Sequence, residues 1–532
     1  MNRRSFLKGL FFISSIFTLR LSSASRINIS FDYGVASGDP TNTNIILWTR
    51  VTPSINKNIE IKWELSSDIN FKKILNSGTV IGKYLNDFTV KVDANVPNAY
   101  RGKKVFYRFS SNDTFSEIGI TNTLPINNPD KYNIAFCSCS NHPAGYFNAY
   151  REMAKNNEID LVLHLGDYIY EYDKDGYATE DSERFNRVVD PKHEIVSLSD
   201  YRKRHAQYKS DLDLQLLHKS KPMIAVWDDH EFTNDSWKYG AENHQNEEGF
   251  FQSRKANAIK AYLEWMPIRE NKSKLKIWRK FEVGNLFQLL MLDTRSIYRD
   301  KQLNIEDYFD DNKINKSKYK RDLSTDRKLI GLEQISWIKN NLNNKFKWSI
   351  IGQQVLMAQV YLPSIFANMN KKILPEYLHK YLKIGGSKVP YNTDAWDGYP
   401  KERERLFKEL KKANSVLVLT GDTHNSWLNN LYDKNNNFIG VEIGTPAISS
   451  PNTIDTFDEL TDLIEEGFIK ENKNVKWTEG KHKGYALLEL NNQNAKVSFI
   501  YVDTVKTKNY MVINSNKFNI KSNEPICSDE VL

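Results

Sequence analysis

Leu161-Val162-Leu163-His164-Leu165-Gly166-Asp167-Tyr168-Ile169-Tyr170 begins as a short apolar run and stops abruptly on side chains that can bind a metal. The arrangement recurs where Met223 to Trp227 meets Asp228, Asp229 and His230, and where Val416 to Thr420 meets Gly421, Asp422 and His424. Such runs, rich in Val, Ile and Leu, predict strands buried on both faces, and open α/β sheets collect ligands beyond the carboxyl ends of those strands. The chemistry is expected where the three strand ends converge.

Working outward, further strands are predicted at Tyr132 to Ser138, Phe287 to Leu292 and Trp348 to Gly352. Helical periodicity lies between strands at Ala144 to Lys155, Gly331 to Leu342 and Lys401 to Lys412. This alternation predicts an α/β catalytic domain over residues 130–510. Residues 30–125 carry short alternating segments, Ile45 to Val51, Ile59 to Leu65, Phe88 to Val92 and Lys104 to Phe109, which predict a small all-β sandwich. Residues 300–330 and 365–400 read as long polar insertions, and 511–532 as a polar tail.

At 532 residues the chain is too long for one core, and 12% aromatic with 40% hydrophobic content excludes a disordered protein. Asn2-Arg3-Arg4-Ser5-Phe6-Leu7-Lys8, followed by an apolar stretch to Leu19, reads as a twin-arginine signal peptide over residues 1–25. It implies the twin-arginine translocation machinery as a partner, a periplasmic or secreted location, and a mature form with no transmembrane segment. Loss of residues 1–24 removes four basic and no acidic residues, so the net charge falls from +8 to +4. The basic balance is therefore not read as nucleic-acid binding, and the mature chain is expected to be a monomer. Cys137 and Cys139 lie two apart on one strand face, roughly 6.5 Å between α-carbons, too long for an easy disulfide.

Each cluster has its own chemistry. Asp167, directly after a glycine, can place one carboxylate oxygen on each of two cations. Tyr170 and Cys139 supply phenolate and thiolate, donors that a trivalent, Lewis-acidic iron keeps deprotonated. Asp228-Asp229-His230-Glu231 holds more ionisable groups than a plain strand exit tolerates without a compensating cation, at several kcal/mol per buried group. Asp422 and His424 add one hard and one intermediate ligand.

In order along the chain stand Gly34-Val35-Ala36-Ser37-Gly38-Asp39-Pro40, Leu47-Trp48-Thr49-Arg50, Ser138-Cys139, His164 to Glu171, Tyr201 to Tyr208, Trp227 to Glu231, Leu292 to Arg295 and Gly421 to Asn425. With this ordered set the sequence resembles the PhoD-like alkaline phosphatases, a branch of the metallophosphoesterase superfamily. The resemblance implies an immunoglobulin-like sandwich followed by a metallophosphoesterase α/β/β/α domain with an Fe3+ and Ca2+ centre. It implies that Cys139, Asp167 and Tyr170 hold the iron and that Asp167 bridges to the second metal. Asp229 stands where the wider superfamily has Asn, Asp422 and His424 where it has two His, and Gln353 or Gln354 replaces another imidazole. Exchanging imidazoles for oxygens favours Ca2+ at the second site, with Asn234 or Asp235 as a further donor.

The function so implied is an exported, metal-dependent alkaline phosphatase or phosphodiesterase whose substrate is a phosphate ester. His230 is the expected proton donor, and Arg295 is expected to stabilise charge on the phosphoryl oxygens. Two readings compete with it: a phospholipase D-like diesterase acting on lipid or wall-polymer diesters, and a non-catalytic surface protein that binds Ca2+ only for stability.

Overall fold

The computed structural model describes residues 27–526 except 272, 274, 312, 374–375, 453–456 and 458–459, so the expected signal peptide and Cys527 lie outside the described residues. Two sheets face each other. The first runs, in spatial order, Val512–Lys521, Asn494–Val502, Lys483–Leu490, Tyr132–Cys137, Leu161–His164, Met223–Ala225, Val35–Gly38, Asn44–Arg50 and Thr89–Asn95. The second runs Arg279–Val283, Phe287–Met291, Trp348–Gly352, Val416–Thr420, Phe438–Gly444, Ser426–Tyr432 and Val475–Glu479.

Alternate residues of the same strand serve different layers. Ile134, Phe136, Leu161 and Leu163 meet Phe287, Leu289, Leu417 and Leu419 between the sheets. Ala135, Cys137 and Val162 face outward onto the helices Asn148–Lys155, Leu198–Lys209, Leu212–Ser220 and Phe251–Trp265. Helices Gly331–Asn341, Pro400–Leu410 and Thr461–Glu471 cover the other sheet. The result is the expected α/β/β/α sandwich, and burial on both faces explains the uninterrupted apolar runs. Among the described residues no helix is long and apolar enough to cross a membrane.

The amino-terminal strands enclose their own core around Trp63, Tyr107 and Phe109. The sandwich is not detached, however. Its strand Val35–Gly38 continues the first sheet by pairing with Met223 in parallel at Gly38. A β-carbon at Gly38 would lie 2.2 Å from the Pro267 carbonyl oxygen and 2.6 Å from that of Met223, so only glycine permits the approach. Asp39 then accepts from both Nε (2.8 Å) and Nη2 (2.7 Å) of Arg279, whose guanidinium also donates to the Ala225 carbonyl at 2.7 Å.

The expected polar tail is corrected. Val512–Lys521 is an edge strand paired with Asn494–Val502, and it buries Phe518 and Ile520. Its alternation is obscured by the polar residues interspersed along it, of which Lys517 and Lys521 are exposed at the edge.

Candidate metal centre

The three strand ends, joined by Cys139 beyond Tyr132–Cys137, converge at the carboxyl edge of both sheets. Asp167, Tyr170, Asp228, Asp229 and Cys139 come from the first sheet, Asp422 and His424 from the second. Four of these residues hold left-handed backbone: Cys139 (φ 61°), Asp167 (φ 53°), Asp422 (φ 66°) and His424 (φ 62°). Such a conformation is costly for L residues and persists where the surroundings over-determine it, which here aims the side chains inward. Gly166 (φ 111°) brings the first two loops together, since a β-carbon there would lie 2.4 Å from that of Asp228.

Glu231 ties those loops. Its buried carboxylate accepts the backbone N–H of Asp167 (2.9 Å), Tyr168 (2.5 Å) and Ile169 (3.2 Å) from one loop and of Asp228 (2.6 Å) from the other. Arg204, fully buried, donates to the carbonyls of Tyr170 and Tyr172 and so fixes the far end of the first loop.

Three sets of potential ligand atoms each lie within 4.8 Å of one another: Cys139, Asp167 and His424; Asp167, Asp229 and His230; and Asp228, Asp229 and Asp422. Asp167 belongs to two sets. Its Oδ2 is 3.4 Å from Cys139 Sγ and 3.3 Å from the Tyr170 hydroxyl, which is itself 3.4 Å from His424 Nε2. His424 therefore falls on the thiol and phenol side, and Asp422 on the carboxylate side.

Electrostatics bear on whether cations fit. Burial, with Asp167 adding, pushes the Cys139 thiol well above its ordinary range, and burial with Cys139 and Asp167 does the same to Tyr170. Burial also raises Asp167, and it raises Asp228 to about 7 against the pull of Arg295. Burial opposes ionisation of Asp229 too, but Arg295 and His230 prevail and lower it to about 2. Thiolate, phenolate and carboxylates can be ionised together here only against bound positive charge. Asp167 Oδ1, Asp228 Oδ2 and Asp229 Oδ1 are buried without a hydrogen-bond partner, positions that suit cations.

His230 is held by Glu171, whose Oε2 lies 2.7 Å from Nδ1, leaving Nε2 toward the cluster. Burial lowers its pKa, but Glu171, Asp167 and Asp229 outweigh burial and raise it well above the ordinary histidine value. Tyr170 stacks on the imidazole at 4.1 Å between centroids.

One expectation is corrected. Arg295, read as a phosphate contact, is only 1% exposed, and its guanidinium is taken up by Asp228, Asp394 (2.7 Å), Asp422 (3.3 Å) and Asp229 (3.5 Å). It is the counter-ion of the carboxylates. Asn234 donates its side-chain N–H to Glu242 at 3.0 Å, while Asp235 lies within the field of Asp394 and Asp229 and is raised to about 7 by burial and those charges. Gln353 and Gln354 are engaged elsewhere, with Trp396 and with Thr294 and the Trp227 carbonyl. Asp394 was not anticipated. It comes from near the end of the 365–400 insertion, where no strand end or motif marks it.

Comparisons with known proteins agree along the chain. The family model described as "PhoD-like phosphatase" matches residues 134–499, and "PhoD-like phosphatase, N-terminal domain" matches residues 18–125. Alkaline phosphatase D of Bacillus subtilis (strain 168) is 36% identical over 483 residues, covering 86% of this chain and 76% of that protein. A solved structure of PhoD superposes with a TM-score of 0.77 at 32% identity, covering 93% of this chain and 91% of the other.

Proposed function

The chain belongs to the PhoD-like phosphatase family, and from that premise we propose that it is an exported, metal-dependent phosphoric ester hydrolase acting at the centre described above. The observation that carries the reading is the set of buried carboxylate oxygens without a hydrogen-bond donor on Asp167, Asp228 and Asp229 beside a buried thiol and phenol. Cys139, Asp167, Tyr170 and His424 would hold Fe3+. Asp229 and Asp422, with Asp228 and Asp394 beside them, would hold Ca2+, because an all-oxygen set suits a hard cation. The chemistry such cations would supply there is Lewis acidity toward the phosphoryl oxygens and toward an attacking water.

The chain's own residues do the rest. Glu171 fixes the imidazole of His230 through Nδ1, and Tyr170 beneath it prevents the ring from swinging away. The Nε2 proton is thereby directed toward the cluster, where it can pass to the oxygen of the departing alcohol. Arg295 balances the carboxylates and keeps the cup in shape. Export through the twin-arginine route is supported by Arg3-Arg4-Ser5-Phe6-Leu7-Lys8.

The test is release of nitrophenolate by the purified protein from a nitrophenyl monoester and from a bis-nitrophenyl diester. Turnover of either supports the reading, their ratio decides between monoesterase and diesterase, and turnover of neither contradicts it.

A further inference from the structure

Beyond His230 the centre carries an aromatic wall. Tyr170, His230, Tyr172 and Tyr177 form a closed cycle of rings, with centroids 4.1 Å apart from Tyr170 to His230, 5.5 Å from His230 to Tyr172, 5.8 Å from Tyr172 to Tyr177 and 6.1 Å from Tyr177 to Tyr170. The cycle has two sides. Tyr170 is buried against the cluster, whereas Tyr172 and Tyr177 are only partly buried.

The outer pair differ in how they are held. Tyr177 donates its hydroxyl to the Pro451 carbonyl at 2.6 Å and lies 3.5 Å from His424 Nδ1, so its position is fixed. Tyr172 is anchored through its backbone, since its carbonyl accepts from Arg204 at 3.0 Å. Its hydroxyl makes no hydrogen bond among the described residues. The side chain that covers His230 from outside is thus the least committed of the four.

A proton donor must lie within hydrogen-bond reach of the oxygen it protonates, so the departing alcohol leaves past whatever flanks His230 on its open side. We propose that Tyr172 is a specificity-determining residue whose ring packs against that alcohol and selects phosphate esters with a flat, apolar leaving group, aryl esters foremost. No ring of the wall is cationic apart from His230, so a second anionic group on the alcohol finds no further positive charge there. This inference rests on the phosphatase reading.

The experiment compares the metal-loaded wild type with Tyr172→Ala, Tyr172→Leu and Tyr172→Phe. It measures kcat/KM on nitrophenyl phosphate and on glycerol phosphate, and, by calorimetry, Kd for phenylphosphonate and for inorganic phosphate. An aromatic contact of ordinary strength predicts that Tyr172→Ala lowers kcat/KM for the aryl ester roughly five- to tenfold more than for glycerol phosphate. It also weakens phenylphosphonate more than inorganic phosphate by the same factor. Tyr172→Phe keeps the aryl preference, and Tyr172→Leu gives the comparison without a gap should the alanine variant fold poorly. Equal losses on both esters, or an aryl preference that survives both Ala and Leu, overturns the inference. A wild type that hydrolyses neither ester is a separate outcome, in which the phosphatase reading itself falls and takes this inference with it.

Discussion

Asp167 and His230 would both score as essential in a crude activity screen, yet their surroundings assign them different work. Asp167 lies in two of the three ligand sets and keeps one oxygen unpartnered, whereas His230 commits one nitrogen to Glu171. Asp167→Asn is therefore expected to lose metal, activity and thermal stability together, because bound metal stabilises only the folded state. His230→Ala is expected to keep most of its metal while its rate drops roughly 10²-fold, less on aryl than on alkyl phosphates because nitrophenolate departs without a proton. Elemental analysis beside rates on both substrates checks this; loss of metal from His230→Ala would make that residue a ligand. At this scale much of the site was legible, since strand ends crowded with Asp, His, Cys and Tyr are tolerated in a protein interior chiefly where cations neutralise them. Asp394 was not, because a carboxylate within an irregular insertion gives no periodic signal. Arg295 was misassigned because a sequence does not reveal that four carboxylates surround one guanidinium.

Among elements, the loops after Leu161–His164 and Met223–Ala225 matter most, and Glu231 joins them by accepting four backbone N–H groups. Glu231→Ala leaves those donors buried and unpaired, at about 1–3 kcal/mol for each that finds no substitute. It should lower the unfolding midpoint and release metal together, as thermal melts and elemental analysis on one preparation will show. Glu231→Gln, which presents an amide N–H to donors, should fall between alanine and wild type. Unchanged metal content in Glu231→Ala would mean the loops keep their shape without the clamp. Strands buried on both faces were legible to within a few residues because their apolar runs are continuous. Val512–Lys521 was not, since its inward positions Phe518 and Ile520 are separated by polar residues.

At the scale of the molecule, the two predicted domains share one sheet through Gly38 and Met223, and polar groups lie buried beside that junction. The sequence motif around Asp39 was visible, but its job as a latch on Arg279 depends on residues 240 positions apart. Behind the junction His164 and His205 are buried, and burial, with Lys209 adding, lowers both to about 3. An unfolded histidine titrates near 6.5, so between these values the unfolded chain binds more protons and stability falls as pH drops. Each costs about 2 kcal/mol at pH 5, and the loss is absent above pH 7. Urea unfolding at pH 8 and pH 5 should show it, with a smaller acid loss in His205→Leu; an equal loss would locate the acid sensitivity elsewhere.

The central claim is that an oxygen-rich cation site beside the thiol and phenol performs ester hydrolysis, and calcium withdrawal tests it most directly. Nitrophenyl phosphate hydrolysis is measured before chelation, after exhaustive calcium removal and after calcium is restored, in the wild type and in Asp229→Ala. The expected result is reversible loss and recovery in the wild type and no recovery in Asp229→Ala. Wild-type activity that survives complete calcium removal would contradict the claim.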